Sequence, residues 1–200
     1  MKQTKLFYTP LWQTNLSDLH DDWPTQRLSM LEKIFALAEQ DKGVLKTNFG
    51  GWQSDEHCYR YPEFRWLITQ VMTLGNTVVD NISQEKSFDD GLLWANINRN
   101  GDFNAPHTHP DAILSGAVYL KNASEDQGQI QFFDAREGNP TSQWSCFMQI
   151  PDRTELTEDV YTVTPREGDI LFFPGWLRHW VTPNRTDEDR VSMSFNLRLG

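Results

Sequence analysis

Three histidines in this sequence have the types and spacing of a metal site. His107 and His109 are separated by one residue, and both imidazoles are expected on one side of an extended chain because side chains alternate between faces. His179, far along the chain, is the candidate third donor. Two close ligands and one remote ligand, with open coordination positions, are typical of mononuclear non-haem iron sites. An isolated H-x-H pair is also common among ordinary surface and core residues, so the surrounding sequence decides the interpretation.

The last predicted strand carries a polar row that also favours a binding site. Polar and apolar residues alternate strictly there, and the polar members are Arg190, Ser192, Ser194 and Asn196. Such a row either lines a polar pocket inside a barrel or faces solvent. Arg190 suits a carboxylate ligand, because a guanidinium group offers two parallel donors. Tyr119, on the same face of its own strand as Ser115, is a second candidate donor to that carboxylate.

The elements that must position these residues are mostly short strands. Apolar residues at spacings of three and four predict helices over about 21–40 and 63–80, both packed on a sheet. Strands are predicted at 5–12, 92–98, 113–120, 129–133, 161–164, 170–173, from residue 180, and at 190–199. Short strands separated by turn residues are typical of an antiparallel jelly roll. We therefore predict a single mainly β domain, with helical support over 1–90 and the jelly-roll core over 91–200.

Composition restricts the classes of function. The 200 residues carry a formal net charge of −10, which disfavours nucleic acid and anionic membranes as partners. No apolar run approaches the roughly 18 residues that a membrane span needs. Two cysteines, Cys58 and Cys146, make no disulfide framework and favour a reducing, cytoplasmic location. Nothing in these patterns specifies an oligomeric state.

Two loops, 49–60 and 135–160, are candidates for determining the substrate. Residues 48–54 contain paired glycines, which permit backbone angles barred to other residues. Residues 135–160 form a long insertion of the kind often used as a lid or binding loop. Arg136 begins this insertion, where it either meets an acidic substrate or forms a loop salt bridge with Asp134.

Four motifs in fixed order carry a resemblance to a known family. They are His107-x-His109, Ser115-Gly116-x-x-Tyr119-Leu120, Gly168-Asp-x-Leu-Phe-Phe-Pro174-x-Trp-x-x-His179 and Arg190-x-Ser192-x-Ser194-Phe195-Asn196. Together they resemble the double-stranded β-helix oxygenases that depend on Fe(II) and 2-oxoglutarate. More narrowly, the chain is similar to a bacterial and phage-encoded family of such oxygenases. That family also shows the Asn48-x-Gly-Gly51-Trp52-x-Ser54 segment and Asn96, so the resemblance extends over most of residues 48–198.

The resemblance implies a metal centre with one unusual ligand. His107 and His179 match metal ligands of the family, and His109 occupies the place where the wider superfamily usually has Asp or Glu. A site of three histidines carries no ligand charge. The competing set is His109, Asp111 and His179, which restores a carboxylate. If Asp111 is not a ligand, it is a candidate to orient an imidazole as a hydrogen-bond acceptor.

The resemblance also implies how the cosubstrate and substrate are bound. Arg190, helped by Tyr119 or Ser192, would bind the C5 carboxylate of 2-oxoglutarate, and Asn96 and Asn196 would face the metal pocket. Fe(II), 2-oxoglutarate and O2 would together hydroxylate an unidentified small-molecule or peptide substrate, with release of succinate and CO2. Two other readings stay open: a three-histidine oxygenase that uses no 2-oxoglutarate, and a non-catalytic metal- or ligand-binding jelly roll.

Overall fold

Two long helices precede most of the sheet structure. The computed structural model describes residues 2, 8–80, 82–83, 86–136 and 158–199. Its α-helices are α1 (Leu16–Leu19), α2 (Trp23–Gln40) and α3 (Arg65–Asp80), and its 3-10 turns are Cys58–Arg60, Pro62–Phe64 and Glu125–Gln127. Pro24 falls in the first turn of α2, where a missing N–H costs no helical hydrogen bond. Both predicted helices are therefore present. No helix in the described ranges is long and apolar enough to span a membrane.

The described strands, numbered β1 to β11 along the chain, form two antiparallel sheets. In spatial order the larger, six-stranded sheet consists of β1 (Trp12–Asn15), β9 (Asp169–Pro174), β6 (Leu114–Lys121), β11 (Arg190–Arg198), β4 (Asp90–Asn98) and β3 (Trp52–Gln53). The smaller, five-stranded sheet consists of β2 (Asn48–Phe49), β5 (Phe103–His107), β10 (His179–Val181), β7 (Ile130–Phe133) and β8 (Val160–Val163). The prediction of a mainly β, double-stranded β-helix fold is confirmed.

The two faces of β11 have different surroundings, and these orient the larger sheet. The apolar residues of β11 are fully buried in a core shared with residues of α2 and α3. These β11 residues are Val191, Met193, Phe195 and Leu197. Burying a side chain of this size contributes about 1.5–3 kcal/mol. The alternating polar residues therefore face the other way, toward the smaller sheet, and Arg190 is only 1% exposed. The solvent-facing reading of this row is excluded.

Some boundaries differ from the sequence-based expectation. The strand predicted at 5–12 is found at Trp12–Asn15, where it pairs with Asp169–Phe172 at the edge of the larger sheet. Pro10 cannot donate to a ladder, and the pairing begins only after it. Residues 5–7 and most of the long insertion, 137–157, lie outside the described residues, so the lid prediction for 135–160 is not addressed there. The N-terminal 90 residues contribute β1, β2 and β3 to the sheets as well as the helices.

Candidate metal centre

The structure brings His107, His109 and His179 together between the two sheets. The ring centroids of His107 and His179 are 4.4 Å apart, those of His107 and His109 4.9 Å, and those of His109 and His179 5.2 Å. One nitrogen from each ring can be chosen so that all three lie within 4.8 Å of one another. Among the described residues, this is the group of His, Cys, Asp and Glu side chains that has metal-site spacing. His107 and His179 are direct partners in the β5–β10 ladder.

Backbone carbonyls orient two of the three imidazoles in the same way. Nδ1 of His107 lies 2.7 Å from the carbonyl oxygen of Ala105, and Nδ1 of His179 lies 2.8 Å from that of Leu177. A carbonyl oxygen only accepts, so each Nδ1 carries the proton and donates it. The lone pair of each ring is then on Nε2. A histidine that binds a metal through Nε2 needs this tautomer, in which Nδ1 carries the proton and donates a hydrogen bond.

The third histidine is positioned by a loop contact rather than by strand alternation. β5 ends at His107, so the expected alternation along a strand does not reach His109. Instead, the backbone N–H of His109 donates to the carbonyl of Gly175 at 2.8 Å, and Gly175 in turn donates to Ile113 at 3.1 Å. A Cβ on Gly175 would lie 2.6 Å from the carbonyl oxygen of His109. Glycine is therefore required for this close approach between two loops.

Burial keeps all three imidazoles uncharged. It lowers the pKa of His107, and it lowers the pKa of His109 to about 4, with the neighbouring His107 adding to the effect. Burial, followed by the proximity of His107, lowers the pKa of His179 to about 3. Desolvation disfavours the charged imidazolium form, so the rings are neutral at pH 7. Three neutral imidazoles fit a divalent transition metal, for which imidazole nitrogen is a common ligand.

A cavity of about 180 Å³ extends from the histidines into the barrel. Polar residues of the larger sheet line it, namely Asn96, Tyr119, Arg190, Ser192, Ser194 and Asn196. Strand pairing arranges part of this set in one row, because Ser192 is opposite Tyr119 on β6 and opposite Asn96 on β4. The sequence prediction that these side chains share one pocket with the histidines therefore agrees with their placement.

Arg190 is a buried cation that forms no ion pair with a carboxylate of the described residues. Its Nη1 makes only long contacts to the carbonyls of Gln127 and Thr182, at 3.4 and 3.5 Å, and its Nε is buried without a partner among the described residues. Burial lowers its pKa to about 10. Buried charges are normally paired, so a lone guanidinium that lines a cavity favours an anionic ligand. Burial also raises the pKa of Tyr119 to about 12, which keeps its hydroxyl protonated as a donor.

The rest of the predicted site residues lie elsewhere or have other partners. Asp111 is exposed and outside the histidine group, and the backbone carbonyls described above orient His107 and His179. Arg136 donates through Nε to both oxygens of Asp134 at 3.0 Å, as expected for the loop salt bridge. The Asn96 side chain donates to Ser194 Oγ at 3.1 Å.

Sequence reasoning missed several residues that shape the site. Gly128 has φ +103°, and a Cβ there would lie 2.2 Å from Nη1 of Arg190. Its only sequence signal was a glycine between two glutamines, next to the strand predicted at 129–133. Lys46 and Glu56, whose ion pair spans 3.6 Å, line the outer part of the cavity, and no pattern marked them. Ser115 was placed on the correct strand face but given no role; its Oγ donates to Oδ1 of Asn196 at 2.7 Å.

Two antiparallel sheets with a histidine cluster and a buried guanidinium between them define a metal-oxygenase type of site on a double-stranded β-helix. A model of the family described as "Putative 2OG-Fe(II) oxygenase" matches residues 92–196, more than half of the chain. The chain belongs to this family of 2-oxoglutarate/Fe(II) oxygenases. Among curated proteins, none matches the sequence significantly.

Solved structures of the same fold are similar over nearly the whole chain. A prolyl-4-hydroxylase from Pseudomonas putida is 17% identical with a TM-score of 0.64, covering 95% of this chain and 92% of its own. The α-ketoglutarate-dependent epimerase SnoN from nogalamycin biosynthesis is 16% identical with a TM-score of 0.67, covering 95% and 78%. HygX from Streptomyces hygroscopicus, solved with nickel and 2-oxoglutarate bound, is 12% identical with a TM-score of 0.61, covering 94% and 82%. At sequence identities this low, the structural similarity shows that the fold is shared and nothing further.

Proposed function

We propose that this protein is a 2-oxoglutarate- and Fe(II)-dependent dioxygenase that hydroxylates a small-molecule or peptide substrate. The observation that carries the proposal is that one cavity contains three neutral, clustered imidazoles and a buried guanidinium that no carboxylate of the described residues neutralises. A metal alone would need only the histidines. A carboxylate-bearing cosubstrate accounts for Arg190 as well, because it supplies the missing charge partner.

Different residues would hold the metal and the cosubstrate. His107, His109 and His179 would hold Fe(II), with Nε2 of His107 and His179 free of protons because each Nδ1 donates to a backbone carbonyl. Arg190, assisted by the hydroxyls of Tyr119 and Ser192, would hold the far carboxylate of 2-oxoglutarate. When bound together, Fe(II) and 2-oxoglutarate supply oxidative decarboxylation by O2, which yields succinate, CO2 and one oxygen atom for the substrate.

Apolar residues behind the histidines limit access of water. The ring of Phe173 lies 4.6 Å and that of Phe132 6.0 Å from the ring of His179, which is 4% exposed. Exclusion of water protects reactive species from side reactions. On the outer side, the Lys46–Glu56 ion pair is partly exposed, so substrate would enter past charged and polar groups. Asn96, in the row with Ser192, would face 2-oxoglutarate or substrate.

The ligand set and the compartment complete the proposal. We assign the metal to the three histidines and not to the set containing Asp111, because Asp111 is exposed outside the group.

The described Cys58 is free and buried, and a chain with so few cysteines is compatible with the reducing cytoplasm as its compartment. The similar structures include a prolyl-4-hydroxylase and an epimerase from nogalamycin biosynthesis, so the fold itself favours no substrate.

Succinate release and O2 consumption by the Fe(II)-loaded protein test this function. With 2-oxoglutarate present, we expect succinate in excess of enzyme, and we expect none from His179→Ala. His57→Ala is the matched control, because His57 is half-exposed and packs edge-on against Tyr59, away from the cluster. O2 consumption that is independent of 2-oxoglutarate would instead favour the three-histidine oxygenase. Bound iron without any turnover would favour the non-catalytic binding protein.

A further inference from the structure

Asn196 links the third histidine to a serine on the neighbouring strand. Asn196 on β11 is the register partner of Ser115 on β6, whose Oγ donates to Asn196 Oδ1 at 2.7 Å. The amide nitrogen of Asn196 lies 3.4 Å from Nδ1 of His109. Ser115 is 1% exposed, so the serine end of this pair is shielded from solvent. Of the three histidines, His109 is thus held by a side-chain amide where the other two are held by carbonyls.

This difference matters because a carbonyl fixes a histidine tautomer and an amide does not. Nδ1 of a ring that binds metal through Nε2 must carry a proton, and that proton needs an acceptor. The side chain of Asn196 can present either its NH2 donor or its oxygen acceptor to His109. In the orientation of the structure, the NH2 group faces Nδ1 of His109 and the oxygen faces Ser115. That arrangement favours the proton on Nε2, where it blocks a metal.

We propose that Asn196 is the positioning residue for His109 and that its amide is reversed when metal binds. In the metal-bound state Nδ1–H of His109 donates to Asn196 Oδ1, and the amide NH2 donates to Ser115 Oγ. A hydroxyl both donates and accepts, so Ser115 serves either orientation of the amide. The proton that leaves Nε2 and the proton gained at Nδ1 exchange with solvent, so no net charge is transferred. This inference rests on the proposed metal centre.

The neighbouring Asn96–Ser194 pair provides a matched control. The Asn96 side chain donates to Ser194 Oγ at 3.1 Å, and both residues line the same cavity, but its contact is to a serine and not to a histidine. Replacing either asparagine by leucine removes an amide of similar size from adjacent strands. If amides merely stabilise the cavity, the two replacements should act alike. If Asn196 positions a ligand, only one should affect the metal.

The experiment is an anaerobic Fe(II) titration of the full chain without 2-oxoglutarate, repeated with Zn(II). We expect Asn196→Leu to weaken metal binding about 10–100-fold, the usual effect of losing a partner of a ligating histidine. Asn96→Leu should leave the metal affinity unchanged in this titration, which contains no 2-oxoglutarate, because Asn96 contacts Ser194 and none of the three histidines. Asn196→Asp should bind metal as tightly as the wild-type chain or more tightly, because a carboxylate always accepts from Nδ1–H. Equal losses in Asn196→Leu and Asn196→Asp would overturn the acceptor role.

A second readout reports the tautomer directly. Nitrogen-15 NMR of the Zn(II)-loaded protein should show His109 protonated on Nδ1, like His107 and His179. A metal-loaded His109 protonated on Nε2 would overturn the proposal. Failure of the wild-type chain to bind stoichiometric metal would overturn the proposed function and this inference with it. Tight metal binding by both the wild type and a folded Asn196→Leu variant would overturn this inference alone.

Discussion

Removing the guanidinium of Arg190 is expected to abolish tight 2-oxoglutarate binding while the metal site stays intact. Burial lowers the pKa of Arg190 to about 10. A buried charge without an ionic partner is energetically costly, and a ligand carboxylate would offset that cost. A hydrogen bond to a charged group contributes about 1.5–3 kcal/mol, so its loss should weaken binding about 10–150-fold.

Two substitutions separate charge from geometry. Arg190→Met keeps an unbranched chain of similar length without the charge, and it should show the full loss. Arg190→Lys keeps the charge but loses the two parallel donors, so its affinity should fall between those of Arg190→Met and the wild type. Neither change touches the histidine group, and Fe(II) should bind as before.

The assay is an anaerobic titration of 2-oxoglutarate into the Fe(II) protein, followed by the metal-to-ligand absorption band. Unfolding provides an independent measure: ligand at 100 times its Kd stabilises the wild type by about 2.7 kcal/mol, and a variant that binds 100-fold more weakly by about 0.4 kcal/mol. Unchanged affinity in a folded Arg190→Met variant would refute the reasoning. It would mean that another group holds the cosubstrate or that none is used.

Three further outcomes are expected. Asp111→Ala should weaken Fe(II) binding by at most about 10–100-fold, the usual effect of losing a residue that only hydrogen-bonds to a ligating histidine, while His107→Ala abolishes binding. The reverse order of severity would show that the carboxylate is the ligand. Gly128→Ala should weaken 2-oxoglutarate binding, because the added Cβ would lie 2.2 Å from the Arg190 guanidinium. Gly101→Ala is the control: its φ is +88° and nothing lies within 4 Å of the added Cβ, so it should strain the backbone alone. Equal affinities of the two variants for 2-oxoglutarate in calorimetric titrations would contradict this. Phe195→Ala should lower the free energy of unfolding in urea by about 3–5 kcal/mol, as for other buried aromatics, and a loss below about 1 kcal/mol would contradict the packing described.

Strand alternation explains why so much of the site was visible in the sequence. On β11 the side-chain period of two places Arg190 and Asn196 on one face and Phe195 on the other, and burial of the apolar set by the helices leaves no freedom to reverse them. The same logic predicted that Tyr119 faces this cavity. Helices were equally predictable, because their apolar spacing is a local property.

The features that escaped prediction depend on backbone groups and loops, which carry no sequence signature. The carbonyls of Ala105 and Leu177 orient two histidines, yet any residue supplies a carbonyl. His109 lies beyond the end of β5, where alternation no longer applies, and a contact with Gly175 places it. Such contacts join segments far apart in the chain, so only the folded structure reveals them.

The proposed set of three histidine ligands, with no carboxylate, changes what the surrounding residues must supply. Where the wider superfamily usually has Asp or Glu, the proposed site has neutral His109, so its net charge would be one unit more positive when Fe(II) and the 2-oxoglutarate dianion are bound. In a cavity of low dielectric constant, this difference in charge increases the stabilisation that each nearby hydrogen-bond acceptor provides. An amide oxygen of Asn196 behind His109 would provide a partial negative charge, and Asn196→Asp would restore the full charge one residue removed from the metal. Metal affinity in that variant therefore measures how much of the usual carboxylate's contribution is electrostatic rather than direct coordination.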